Sequence, residues 1–250
     1  MNNPRYTLDD LRFGIDGQTF EKAVGLYKAG KVAEFSEDGI GYSAMVIGTH
    51  PYKVYVHGSA YDRGMCTCYL GERDELCKHM IALALYAIAR GRTLAPEEVA
   101  SVEDVSCSGV LGELSKAELK ATKAEITTAM RKIKSYAGPS RTWFAYQDSL
   151  SEGCRRLSPI VSRLPVSKQT ATILIDLLIR IDSKLATGGV DDSDGTVGGF
   201  AFELVQVLVE FFKQDHRCVE AFERLVKADM GFGFEDDLIR ILDEGFNEEG

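Results

Sequence analysis

No apolar run in the chain is long enough to cross a bilayer. The longest, Met80 to Ala89, has ten residues, whereas a membrane span needs roughly 20. The first residues, Met1 to Leu11, carry Asp9 and Asp10 and no apolar segment, so they do not read as a secretory signal. The expectation is a cytoplasmic protein. Six prolines and 24 glycines among 250 residues are too few for a low-complexity chain, and 45% hydrophobic against 27% charged residues excludes a disordered one. The phosphate loop G-x-x-x-x-G-K-[ST], the dinucleotide fingerprint G-x-G-x-x-G and the nucleophile elbow G-x-S-x-G are all missing. With four histidines in the whole chain, no acid/base constellation emerges, and no small-molecule substrate is evident. A non-enzymatic protein is expected.

The net charge of -9 argues against a polyanion partner, but the charges are unevenly placed. Residues 1-100 carry 11 Lys and Arg against 13 Asp and Glu; residues 101-165 carry 10 against 7; residues 166-250 carry 8 against 18. The acidity therefore belongs to the last third, which would repel nucleic acid while leaving a basic stretch in the middle.

Six cysteines without a secretory signal do not make a disulfide framework. Three of them cluster, and His79 follows two residues after the last, giving Cys66-x-Cys68-x8-Cys77-x-His79. Thiolate and imidazole are the donors a structural Zn²⁺ site uses, and four of them close the coordination shell, leaving no position for catalysis. The stretches Val54 to His57 and Met65 to Leu70 read as strands, and Lys78 to Arg90 as an apolar helix ended by Gly91. On an extended strand Cys66 and Cys68 would face the same way. Cys77 and His79 would sit in the first helical turn, where the helix dipole favours a thiolate. Arg63, Arg73 and Lys78 are near enough in sequence to offset the site's negative charge. The plain alternative is a set of ordinary buried thiols with His79 capping the helix. His50, beside Pro51, and His57, at a strand end, are surplus to a closed site.

The spacing C-x-C-x(n)-C-x-H resembles the SWIM-type zinc finger, as do the flanking YKAGKVAEF and CKHMIALALYA. The segment VDDSDGTVGGF at 190-200 and the later QDHRCVEAFERLV are similar to the helical C-terminal half of bacterial SWIM zinc-finger proteins. The resemblance implies a zinc-stabilised ββα module spanning about 52-91, with Cys66, Cys68, Cys77 and His79 as ligands. It also implies a role in binding DNA or other proteins, with no catalytic residues to carry over.

Elsewhere, Asp16 is placed to cap a helix over Gln18 to Ala29, and strands are expected at Val32 to Phe35, Tyr42 to Ile47 and Tyr52 to His57. Residues 92-114 read as a linker holding a free Cys107, which divides the chain into a β-rich unit, 1-110, and an all-α unit, 111-250. Ser115 to Glu118 forms a capping box for a helix to about Ser135. Lys116, Lys120, Lys123 and Lys134 lie broadly on its one face, Arg131 and Lys132 extend it, and Arg141, Trp143, Phe144 and Tyr146 follow. Cations interleaved with aromatic rings suit single-stranded nucleic acid, although a solvated lysine face and a core Trp143 and Phe144 at the start of a helix to about Arg156 explain the same residues. Further helices are expected over Thr170 to Leu185, Val197 to Gln214, His216 to Ala228 and Glu235 to Phe246, in a bundle or repeat-like stack. The acidic loop Asp191 to Gly195 fails as a calcium loop, because its first and twelfth positions are Val190 and Ala201, and reads as a helix start capped by Asp194 or Thr196. The expected fold class is α+β, a small antiparallel sheet with a ββα finger and then helices. The expected partner is another protein, with nucleic acid as the alternative.

Overall fold

The computed structural model describes residues 3-100, 105-139, 143-228 and 230-247. They form an α+β structure in two compact units, divided between Val102 and Glu103. Among the described residues no helix is long and apolar enough to cross a membrane.

The first unit begins with α1 (Leu8–Gly14) and α2 (Gly17–Lys28), each with a capped start. Asp10 and Thr7 exchange side-chain and backbone hydrogen bonds in a capping box, and Asp16 accepts from the Thr19 amide at 2.8 Å. The strands β1 (Val32–Glu37), β2 (Gly41–Ile47), β3 (Pro51–His57) and β4 (Ala60–Cys66) follow as an antiparallel meander in sequence order. Along β2, Tyr42, Ala44 and Val46 point inward, and along β3 Val54 and Val56 do the same, the two-residue alternation of a sheet with one face covered. The cover is α3 (Lys78–Ala89), which packs on β2, β3 and β4 while α2 packs on it in turn. That sandwiching explains its composition: Met80 through Leu85 are all essentially buried, and a helix apolar all round has no side for water.

The fourth strand differs from the expected Met65 to Leu70. It begins at Ala60, paired with His57, and leaves the sheet at Cys66, paired with Val54. The exposed, charged Asp62 and Arg63 disguise it, and the chain beyond Cys66 coils into a 3₁₀ turn at Gly71–Arg73. The short α4 (Pro96–Val99) ends the described part of this unit.

The second unit holds α5 (Lys116–Met130), α6 (Trp143–Ser162), α7 (Lys168–Ala186), α8 (Thr196–Gln214), α9 (Val219–Val226) and α10 (Asp236–Asn247) around a Leu, Ile, Val and Phe core. Residues 105-114, expected as linker, run along this unit instead. Ser108 donates to the Leu164 carbonyl at 2.6 Å, the Val166 amide to the Val110 carbonyl, and Leu111 bridges Val166 in parallel. Helix α5 stops five residues short of Ser135, since the chain must bend to bury Ile133 and pair the Tyr136 amide with Gly189. Helix α6 runs past Arg156 and through Pro159, whose lost amide bond is outweighed by burial of Leu157, Ile160 and Val161 around it. The expected helix from His216 is a 3₁₀ turn followed by α9, which ends at Val226.

Candidate metal centre

The three cysteines and one histidine converge. Their Cys66, Cys68 and Cys77 sulfurs and a His79 ring nitrogen lie within 4.8 Å of one another, and all four residues are buried. His79 turns Nδ1 toward the thiols, 3.8 Å from the Cys66 sulfur and 3.9 Å from that of Cys77. An ion bonded at roughly 2.0–2.3 Å fits among such donors. The arrangement could hold a metal ion.

Each of the four side chains is placed by a different device. Cys66 is the last residue of β4, turned inward by the alternation that sends Met65 outward. Cys68 is not on the strand; it sits in the turn that follows, so the two-residue strand geometry expected for this pair does not apply. What brings Cys68 back is the coil after it, where the Glu72 amide donates to the Cys68 carbonyl at 2.9 Å and the Gly71 amide approaches the Cys68 sulfur at 3.4 Å. Gly71 is irreplaceable on steric grounds: a Cβ there would lie 2.2 Å from the Cys66 carbonyl oxygen. Cys77 occupies the N-cap of α3 with an extended backbone, and His79 is the second helical residue. Both therefore stand at the positive end of a twelve-residue helix.

The imidazole is clamped. The Tyr52 ring lies over it with centroids 4.4 Å apart, and Gly48 comes so close that a Cβ would fall 2.7 Å from Nε2. Nε2 itself is buried without a hydrogen-bond partner among the described residues, and Nδ1 is the nitrogen that faces the thiols.

The thiols share their protons unequally. Cys77 is pushed down to about 4, chiefly because the Cys66 thiol donates to it; burial opposes this, while His79 and the Met80 amide reinforce it. Cys66, as that donor, moves up, and its burial adds to the effect. The direction at Cys77 favours the thiolate form that metal binding uses.

His50 and His57 stand outside the cluster. His57 hydrogen bonds to Ser59 through Nδ1 at 2.7 Å, and His50 packs edge-on against Tyr52. Of the basic residues expected beside the site, Arg73 lies over the Tyr69 ring at 3.6 Å and donates to the Tyr69 carbonyl. Cys107 has a half-buried thiol in contact with Gln214 in the second unit.

The candidate nucleic-acid residues are dispersed in role. Lys116, Lys120 and Lys123 project from α5, Arg131 is its C-cap, and Lys134 follows; all five are exposed. Arg141 lies outside the described residues. Of the two aromatic residues expected in a core, Trp143 is half-buried and donates to Asp191 at 3.0 Å, and Phe144 is 76% exposed; the nearby Tyr146 is buried. The acidic loop starts α8 through Asp192 more than through Asp194 or Thr196. Its two carboxylate oxygens accept from Val197 and Gly198 at 2.8 Å each, while Asp194 accepts from Thr196 at 3.2 Å.

The sequence pattern points to the four ligands but misses Gly48, Tyr52 and Gly71, whose roles depend on a hairpin and a coil that bring them back in space. No family model, curated protein or solved structure matches the chain.

Proposed function

We propose that Cys66, Cys68, Cys77 and His79 hold one structural zinc ion, and that the unit built around it is a non-enzymatic protein-interaction module of the SWIM type. The observation that carries the reading is the burial together of four metal-binding side chains inside an otherwise apolar core. With Zn–S near 2.3 Å and Zn–N near 2.0–2.1 Å, a tetrahedron has edges of about 3.6–3.8 Å. The sulfur to nitrogen distances of 3.8 and 3.9 Å need only a slight contraction to meet this. Three thiolates and an imidazole fill all four positions, so the ion cannot take a substrate and its role is structural. The order β3, β4, α3 supplies ligands at a strand end, a turn and a helix start, as a ββα zinc module does. The free cysteines suit a reducing compartment such as the cytoplasm.

A protein partner is favoured by the acidic balance of the chain and by apolar side chains left exposed beside the metal site, Met65 and Tyr69 among them. The exposed Lys116, Lys120 and Lys123 on α5 support a second reading, contact with nucleic acid phosphates. Elemental analysis tests the metal: one equivalent of zinc per chain is expected, lost in Cys77→Ala. Less than half an equivalent in wild type, or full retention in the variant, would overturn the zinc assignment. Retention on heparin and single-stranded DNA across a salt titration separates the partners, since phosphate contacts weaken steeply with salt.

A further inference from the structure

We propose that the outer face of the sheet is a docking groove for an extended peptide that presents an apolar anchor flanked by lysine or arginine. This deepens the reading of the chain as a protein-interaction module and rests on it. The groove, about 700 Å³ in volume, lies on the face opposite α3. Its floor is made of outward-pointing residues from three adjacent strands: Met45 of β2, Tyr55 of β3 and Met65 of β4, the last two directly paired. Met65 is 68% exposed, a large apolar side chain that the fold does not cover. Unbranched methionines beside an aromatic ring make an adaptable surface that fits more than one anchor shape.

The rim supplies the charge complementarity. Glu34, Glu72 and Asp74 line the groove against one cation, Lys53. Two of these acids sit where a side chain is costly. Glu34 has φ +53 at the irregularity between Ala33 and Ser36 of β1, and Asp74 has φ +59 after the 3₁₀ turn. The bulge in β1 re-aims its carboxylate, as bulges do, and the opposite wall is the coil that carries Cys68 and Gly71. The metal site and the groove thus share a wall, so the ion that fixes one also shapes the other. An anionic rim over an apolar floor selects a basic peptide over an acidic one and disfavours a nucleic acid.

The test uses the full zinc-loaded chain and fluorescence anisotropy with four probes: ten-residue peptides with one leucine-phenylalanine centre flanked by lysines, by serines or by glutamates, and a single-stranded oligothymidine. The lysine-flanked peptide should bind at least tenfold more tightly than the glutamate-flanked one, with the serine-flanked peptide between. Met65→Lys should weaken the lysine-flanked peptide at least tenfold, and Glu72→Lys combined with Asp74→Asn should erase the preference. All three positions are exposed, and asparagine tolerates the left-handed backbone at position 74, so zinc content and circular dichroism should be unchanged. Equal affinity for the three peptides, or indifference to Met65→Lys, would overturn the groove while leaving an interaction module standing. Preference for the oligothymidine, or absence of zinc from the purified chain, would overturn the underlying reading itself. A dimer in light scattering that Met65→Lys disperses would assign the face to a second copy and overturn the peptide.

Discussion

At the depth where the first unit places three thiols and an imidazole, the second places leucine, isoleucine, valine and phenylalanine. The second unit buries polar groups too: it leaves Gln147 Oε1 and Glu235 Oε2 without a hydrogen-bond partner among the described residues, but answers its buried acids Asp182 and Glu152 internally. Asp182 accepts from the Gly231 and Phe232 amides at 2.9 to 3.1 Å, and Glu152 is held by Lys132 and Arg156. In the first unit the thiols have mainly one another and His79, and the His79 Nε2 has no partner among the described residues. Buried polar groups without partners cost stability, whereas an apolar core of interlocking helices needs nothing from outside. The difference is one of kind: the second unit's buried acids meet amides and cations of their own chain, whereas the first unit's converging thiols and imidazole make a set that could hold a metal ion.

Removing the metal should therefore break the comparison open, with the largest effect of any change. Structural zinc contributes an apparent ~10–16 kcal/mol in small fingers, as much as a domain's whole net stability. Chelation, or Cys77→Ala, should unfold the first unit and leave the second folded. Hydrogen exchange would show protection lost over the sheet and α3 and kept over α6 to α8. Uniform loss along the chain would show that the units share one cooperative core.

The converse experiment strikes the second unit. Phe211 on α8 is fully buried, and Phe211→Ala should cost about 3–5 kcal/mol through lost burial and a residual cavity. The denaturation midpoint of the second unit should fall while zinc content stays at one equivalent. Loss of zinc in this variant would contradict the independence of the two.

These expectations follow how unevenly the sequence discloses its structure. The Cys/His cluster is legible because Cys and His are scarce and their spacing is local, C-x-C and C-x-H each spanning three residues. The apolar stripes of α7 and α8 are legible for the same reason, since Leu174, Leu177, Leu178 and Ile181 repeat at helical spacing and are all buried. The start of β4 is hidden because Asp62 and Arg63 are polar and Gly64 has no side chain, so no alternation shows; pairing with β3 alone makes it a strand. Pro159 reads as a stop, yet the neighbours it buries override it. Gly48 and Gly71 matter through close approach to His79 and Cys66, and nothing in a one-dimensional pattern records a distance across a hairpin.

Proton activity should separate the units in opposite directions, with smaller effects. Metal binding to thiolates releases protons, so the first unit should lose its ion as pH falls. In the second unit burial pushes both Cys154 and Cys218 from the ordinary 9.0 up to about 12. Their folded values exceed the unfolded one, so the unfolded chain gives up these protons first. The stability they contribute is full below pH 9.0 and is lost as pH climbs from there toward about 12. Urea midpoints of the second unit should decline over that window, and the Cys154→Ala, Cys218→Ala double variant should decline less steeply. Identical slopes would remove the buried thiols as the cause.

The smallest effect is expected at α5, where both units' logic is absent because the side chains are in water. Lys116, Lys120 and Lys123 lie 0, 4 and 7 residues along the helix, which puts them on one face, and all are exposed. Reversing all three to glutamate should leave the melting temperature and the zinc content unchanged, since exposed charges contribute little. The variant is informative through binding. If these lysines contact phosphates, wild type should be retained on single-stranded DNA with a steep salt dependence, and the triple reversal should abolish it. The acidic last third acts against this: 18 acids against 8 bases there repel a polyanion within about 10 Å at ordinary salt. The expected result is no retention for either protein. Strong, salt-sensitive retention of wild type that the reversal removes would move the functional surface from the first unit to α5, and would make the helical unit the part that meets the partner.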